Sequence, residues 1–256
     1  MKIALLLYGM FRHPDTAYFW SHMLPKGDLF VCATFTTYPR TLRSGDSGPV
    51  YPNITFSGLK HAAVWSVIDQ ALFDSLHGID AIVAKKNVFS RNATINRESV
   101  KNAVRIIFQL RMLRDMFVAQ NTNHTHAILT RVDVLFVRPI VAAKFTKNVV
   151  TPNYADFHGV NDRFSAGPIK KILLLMDRLD VWKRTDRLAE LLMLATCKAY
   201  GIIPQRTAVG YNRRVRIGGI LHKSQYKHDN GCALDTAKTM SHLLPYATTV
   251  IMANSF

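Results

Sequence analysis

Asp133, at the end of the apolar run Ala127–Val134 and two residues after Arg131, is the carboxylate in this sequence best suited to chemistry. A strand-terminal carboxylate suits a metal-bridged diphosphate, because Mg²⁺ and Mn²⁺ prefer carboxylate and phosphate oxygens. A guanidinium beside it can grip a second phosphate or a sugar oxygen in fork geometry. The same two residues would also serve as a structural ion pair at a sheet edge. A second cluster, Asn161-Asp-Arg-Phe-Ser-Ala-Gly167, precedes a helix expected to open at Pro168. Its Asp162 suits a general base, a ligand for acceptor hydroxyl groups, or the cap of a turn. Asp156 and His158 are secondary candidates. Gly9 follows the apolar run Ile3–Leu7, where a glycine lets backbone approach a nucleotide and Arg12 can meet its phosphates or base. A plain turn would use the same residue. The stretch Arg206–His228 gathers Arg206, Arg213, Arg214, Arg216, Lys223 and Lys227. It reads either as a wall for a departing diphosphate or as a solvated basic face.

These residues need elements to hold them. Ile3–Leu7 is apolar throughout, as in a strand buried on both faces, and delivers Tyr8-Gly9 at its carboxyl end. A helix is expected from Pro14 through Met23, a strand at Asp28–Thr34, and a long loop over Thr36–Gly58. Helical spacing returns at Lys60–Leu76, and a short strand is expected at Ala81–Ala84. Between Arg97 and Gln120, Val100, Val104, Ile107, Leu110, Leu113 and Phe117 recur every three or four residues, the stripe of an amphipathic helix. Ala127–Val134 then reads as a central strand. Strands at Asn148–Thr151 and Tyr154–Phe157, a turn over Gly159–Gly167, helices at Ile169–Leu179 and Thr185–Tyr200, and a strand at Val215–Ile220 complete the order. Strands alternating with helices predict an α/β fold with a mainly parallel sheet. Ligands in such sheets lie beyond the carboxyl ends of the strands, which selects Gly9–Arg12 and Arg131–Asp133.

Composition narrows the function classes. The 256 residues, 48% of them hydrophobic, suffice for one large domain or two closely joined lobes. No apolar stretch approaches the roughly 20 residues of a membrane-spanning helix, and the N-terminus lacks a signal-peptide pattern. A cytoplasmic protein is expected, with peripheral membrane association as an option for so basic a chain. Three widely spaced cysteines support neither a disulfide framework nor a thiolate zinc site. The formal charge of +16 predicts attraction to polyanions or phosphorylated ligands. Glutamate occurs only at Glu98 and Glu190, both expected in ordinary helices, so carboxylate chemistry falls mostly to aspartates.

Three segments together carry a resemblance: Ile3-Ala-Leu-Leu-Leu-Tyr-Gly-Met-Phe-Arg12, Thr130-Arg-Val-Asp-Val-Leu-Phe-Val-Arg-Pro139, and Asn161-Asp-Arg-Phe-Ser-Ala-Gly167. In order and interval the chain resembles the small GT-A type glycosyltransferases encoded by large DNA viruses of algae, with related bacterial and protist sequences. The resemblance implies one domain over 1–256, with a Rossmann-type nucleotide-sugar-binding half over about 1–135 and an acceptor-binding half over about 136–256. It implies transfer of a sugar from a nucleotide-diphosphate donor, UDP- or GDP-linked, to a hydroxyl of a glycan or glycoprotein; a single displacement would invert the anomeric configuration, and a retaining reaction stays open. Donor contacts fall on Tyr8, Gly9, Arg12, Arg131, Asp133 and Arg214, acceptor contacts on Asn161 and Asp162, and the catalytic base on Asp162. The family's Asp-x-Asp metal motif falls on Arg131-Val-Asp133, with arginine at the first acidic position. Asp133 would hold Mn²⁺ or Mg²⁺ with water and phosphate, or with help from His222, or Arg131 would replace part of the metal's charge.

Two other readings fit the composition. A basic nucleic-acid-binding protein would explain the charge, but no zinc pattern, basic-region heptads or aromatic-basic platform accompanies it. A catalytically silent carbohydrate-binding protein of the same fold is the third.

Overall fold

The computed structural model describes residues 1–11, 24–35, 62–85, 97–136, 140–145, 147–153, 156, 158–185, 187–207 and 212–214. Its centre is β1 (Ile3–Met10), whose side chains alternate between two apolar layers. Ile3, Leu5 and Leu7 enter one, while Ala4, Leu6 and Tyr8 enter the other. Because successive strand residues face opposite sides, an apolar residue at every position is what a strand covered on both faces requires.

Parallel strands flank β1 on each side: β2 (Asp28–Phe35) and β4 (His126–Arg131). Outside β2 lies β3 (Ala62–Asp69), also parallel. Beyond β4 come β7 (Phe164–Pro168), antiparallel to both its neighbours, then β6 (Val150–Pro152) and β8 (Gln205–Thr207). The seven strands run in the order β3-β2-β1-β4-β7-β6-β8. A second sheet pairs β5 (Val134–Phe136) with β9 (Asn212–Arg214). The fold is therefore α/β with an open, mostly parallel sheet, and strands from both expected halves share it.

Six helices are described: α1 (Gln70–His77), α2 (Ile79–Lys85), α3 (Arg97–Ala119), α4 (Ile169–Met176), α5 (Arg178–Thr185) and α6 (Ala189–Ala199). Leu110, Leu113 and Phe117 of α3, Ile172 and Leu175 of α4, and Met193 of α6 pack against Ala4, Leu6 and Tyr8. Phe11, Leu24 and Phe145 help to close the opposite face. Among the described residues, no helix is long and apolar enough to cross a membrane.

Several expected elements change. The helix read over Lys60–Leu76 is instead β3 followed by α1. The run Ala-Ala-Val-Trp-Ser-Val-Ile pairs with β2, and Asp69 then starts α1 by accepting the Ala71 and Leu72 N–H groups at 2.8 and 3.3 Å. The strand expected at Ala81–Ala84 is helical, because Gly78 ends α1 at φ 58° and α2 buries Ile79 and Val83, one turn apart, against Val100 and Val104. Ala127–Val134 is not one strand: β4 stops at Arg131, Val132-Asp133 turns, and Val134 enters the second sheet. The expected turn Gly159–Gly167 ends in β7, and the expected helix Ile169–Leu179 breaks at Asp177 into α4 and α5. Asp156 stands outside any strand, whereas Tyr154 and Phe157 lie outside the described residues. So do the expected helix Pro14–Met23, loop Thr36–Gly58 and strand Val215–Ile220.

Arg105 staples α3 to α1. Its Nε donates to Asp74 at 2.7 Å, its Nη1 to Glu98 and Asn102 at 2.6 Å each, and its Nη2 pairs with the second Asp74 oxygen. Removing one partner of a buried charge network strands the others, so Arg105→Met should lower unfolding stability by about 3–5 kcal/mol in urea denaturation. Lys101→Met, which removes a partner from the exposed Asp80, should cost no more than about 1 kcal/mol in the same assay.

Candidate functional site

The chain leaves β1 for β2 and β3 on one side and returns to β4 on the other. The carboxyl ends of β1 and β4 therefore form the point at which strand order reverses, where open parallel sheets hold ligands. Tyr8 is in register with Arg131, and the Val132 N–H donates to the Tyr8 carbonyl at 2.7 Å. Gly9, at φ 113°, turns the chain beside Arg131 and Val132 in a conformation that side-chain-bearing residues rarely adopt. Gln109 of α3 donates to the Gly9 carbonyl at 3.2 Å.

Arg131 and Asp133 form a closed pair. Nε and Nη2 of Arg131 each donate to a different Asp133 oxygen at 2.7 Å, and the Asp133 side chain has no solvent exposure. Burial works against the Arg131 charge, but Asp133, through charge and hydrogen bonds, and then Asp162 and Tyr8 outweigh it and hold the guanidinium above its ordinary pKa. The turn Val132-Asp133 folds the aspartate back onto Arg131, an outcome the two-residue spacing alone left open.

The Asn161–Arg163 segment is bound to the same strand ends. Arg131 N–H and Thr130 Oγ1 both donate to the Arg163 carbonyl, at 3.2 and 3.0 Å. The Tyr8 hydroxyl donates to the Asp162 carbonyl. Burial, against the opposing charge of Arg178, raises the Tyr8 phenol above its ordinary pKa, so this donor keeps its proton. Three segments distant in sequence thus meet at one place, with Asp162 only 5% exposed.

The expected roles divide accordingly. Gly9, Arg131, Asp133 and Asp162 come together. Tyr8 does so as well, but it is fully buried and clamps the Asp162 backbone instead of offering a surface to a base. Asn161 is also fully buried, and its Oδ1 accepts the Arg163 N–H at 2.9 Å, so it shapes the turn. Arg214 lies on β9 opposite Val134, one residue beyond Asp133. Arg12 and His222 lie outside the described residues. Arg206 is engaged within the protein: its Nε donates to the Pro152 carbonyl at 3.0 Å and its Nη2 pairs with Asp156. His158 is exposed, in a left-handed turn at φ 66°.

The divalent ion expected at Asp133 and His222 meets a poor donor set. Both Asp133 oxygens are taken by Arg131, and among the described residues no group of three His, Cys, Asp or Glu side chains gathers to hold a metal. His222, the other expected ligand, lies outside the described residues. The cation next to Asp133 is Arg131 itself.

Glu190, read from sequence as an ordinary helix residue, is the functional candidate that was missed. It is the second residue of α6, directly after Ala189, which is held at φ 48°. Its carbonyl accepts the Val160 N–H at 3.0 Å. The two segments approach so closely that a Cβ on Gly159 would lie 2.2 Å from that carbonyl oxygen. Burial pushes the Glu190 carboxyl up to about 7, the Asp162 charge adds to the rise, and Arg163 and Arg131 oppose it. The only sequence signal was scarcity: Glu190 is one of two glutamates. Compared with known proteins, the sequence matches no protein-family model and no curated protein.

Two predictions follow from these charges. Arg131→Met alone should destabilise by about 3–5 kcal/mol, whereas Arg131→Met with Asp133→Leu should recover most of the loss, as a double-mutant cycle in urea would reveal. Glu190 binds its proton more tightly folded than unfolded, so its contribution to stability is present below pH 4.5 and lost as pH rises to about 7. Melting temperatures from pH 4 to 8 should show wild type losing ground to Glu190→Gln across that window.

Proposed function

We propose that the chain is a nucleotide-sugar-dependent glycosyltransferase of GT-A type, moving a sugar from a nucleotide-diphosphate donor to a glycan hydroxyl with inversion. The observation that carries this reading is the convergence of Gly9, Arg131–Asp133 and Asn161–Arg163 at the carboxyl ends of β1 and β4. Those are the three segments on which the resemblance rests. The parallel order β3-β2-β1-β4 supports a Rossmann-type donor half. A second sheet that starts immediately after Asp133 supports a separate acceptor side.

In this reading the donor lies across the two strand ends, its backbone approach eased by Gly9. The acceptor hydroxyl attacks the anomeric carbon as the Asp162 carboxylate takes its proton. The sugar–diphosphate bond breaks with its electron pair leaving on the diphosphate, where negative charge accumulates. Arg131 holds a fixed positive charge beside this point, and Arg214, on the strand paired with β5, is the residue assigned to the departing group. Tyr8 acts by holding the Asp162 backbone. The overall charge of +16 raises the local concentration of such anionic donors.

Thermal-shift titration with UDP-, GDP- and CMP-sugars, with and without Mn²⁺, should reveal stabilisation by one nucleotide class, and the same donor should be slowly hydrolysed. Asp162→Asn should keep donor stabilisation while turnover falls about 10²–10⁴-fold, the usual contribution of a positioned base. Stabilisation by DNA or RNA alone, with no nucleotide sugar bound, would sink the enzyme reading.

A further inference from the structure

The main sheet has a second edge, at the amino ends of its parallel strands, opposite the strand-end site. Backbone contacts gather several short segments there. The turn Lys26-Gly27-Asp28 is pressed on the start of β1, where a Cβ on Gly27 would lie 2.6 Å from the Ile3 carbonyl oxygen. Thr125 and His126 donate their N–H groups to the Lys2 carbonyl at 3.1 and 3.3 Å, and the Thr125 carbonyl accepts the Ile169 N–H at 3.0 Å at the start of α4. Lys171 Nζ donates to the Lys147 carbonyl at 3.5 Å. The Gln205 N–H donates to the Val149 carbonyl at 2.7 Å, which sets the approach to β8, through Ile203 and Pro204, beside the approach to β6. Lys2, Lys26, Lys147, Lys170 and Lys171 thus share one edge. The carboxylate among these segments, Asp28, is already engaged by Lys2 at 3.3 Å and His124 at 2.9 Å. Lys170 and Lys171 stand in the first turn of α4, where the helix dipole opposes positive charge, so their charges do not serve the helix. Ile203, on the same edge, is 89% exposed.

We propose that this edge docks the protein onto an anionic lipid bilayer, with the lysines on the head groups and Ile203 inserted between the acyl chains. Stable peripheral binding takes two signals, and the edge supplies both: basic side chains for the negative surface potential and an apolar side chain for the hydrocarbon. A nucleic acid offers phosphates but no apolar phase for Ile203. The segments of the edge also contain no arginine to read base edges and no Phe, Tyr or Trp on which bases could stack. Among the described residues no helix is long and apolar enough to cross the bilayer, so the contact is with its surface. The eight residues of β1 separate the two edges of the sheet by about 25 Å. A molecule docked this way turns Gly9, Arg131 and Asp162 toward the aqueous side, where a water-soluble anionic ligand arrives. The docking stands independently of the glycosyltransferase reading.

Flotation of the full chain with vesicles tests this at physiological ionic strength. The wild type should bind phosphatidylcholine vesicles containing one-third phosphatidylserine and leave pure phosphatidylcholine vesicles unbound. Each lysine near an anionic surface is worth about fivefold in affinity, so Lys147→Gln with Lys170→Gln and Lys171→Gln should bind about 100-fold more weakly. The same charge removed elsewhere, by Lys183→Gln, Arg184→Gln and Arg187→Gln, should have a much smaller effect, because salt screens charges held away from the surface. Ile203→Ser, with every lysine in place, should weaken binding about tenfold through lost apolar burial. All these side chains lie at the surface, and unchanged thermal unfolding confirms that each variant is folded. Failure of the wild type to bind anionic vesicles overturns the proposal. So does an equal loss in the two triple variants, which would assign the attraction to overall charge, or an Ile203→Ser variant that binds like the wild type. A DNA duplex bound more tightly than the vesicles, with the same dependence on Lys147, Lys170 and Lys171, overturns it in favour of nucleic acid. Nucleotide-sugar binding is measured without vesicles, so its failure would sink the glycosyltransferase reading and leave the docking result standing.

Discussion

The contact between Arg131 and Asp133 closes the end of β4, and most of the site's geometry depends on it. Taking both charges out of water is costly, and only bidentate geometry with further hydrogen bonds makes it tolerable. That constraint turns the chain sharply at Val132-Asp133, ends the central strand, and sends Val134 into the second sheet. It also leaves a fixed guanidinium at the reversal point of the main sheet. The backbone of that same Arg131 donates to Arg163, so the pair and the Asn161–Arg163 segment are positioned by one residue.

Around this pair the site is assembled largely by backbone groups. Tyr8 holds the Asp162 carbonyl, Thr130 and Arg131 hold that of Arg163, and Val160 holds that of Glu190. Such bonds do not titrate, so the side chains they carry keep their places as charge changes. Burial and the Asp162 charge favour the neutral form of the Glu190 carboxyl, and Arg163 and Arg131 oppose them. The strongly basic chain supplies attraction for an anionic ligand. The same assignment gives Tyr8 and Asn161 positioning work. Their polar atoms are already used inside the protein.

Much of the architecture was legible in the sequence. The unbroken apolar run of β1 required cover on both faces, and the stripe along α3 required a helix facing that sheet. The region Lys60–Ala84 was misread because short apolar stretches of helical spacing also satisfy an edge strand. Pairing with β2 and the left-handed turn at Gly78 decided between them. The three chemical segments were also visible, since glycine after a buried strand and carboxylates beside arginine follow from residue type and order alone.

Sequence by itself therefore determined the parallel sheet, the strand ends at which chemistry would be placed, and the candidacy of Asp133 and Asp162, because alternation and residue type are local properties. Only the tertiary structure decided that Asp133 faces Arg131, that Tyr8 and Asn161 are positioning residues, and that the backbone of Glu190 meets Gly159 and Val160. Those outcomes depend on burial and on close approach between segments such as Gly159 and Glu190, which are 31 residues apart in the chain. A charge's partner and its proton affinity are set by what lies across such a gap, and no local pattern records it.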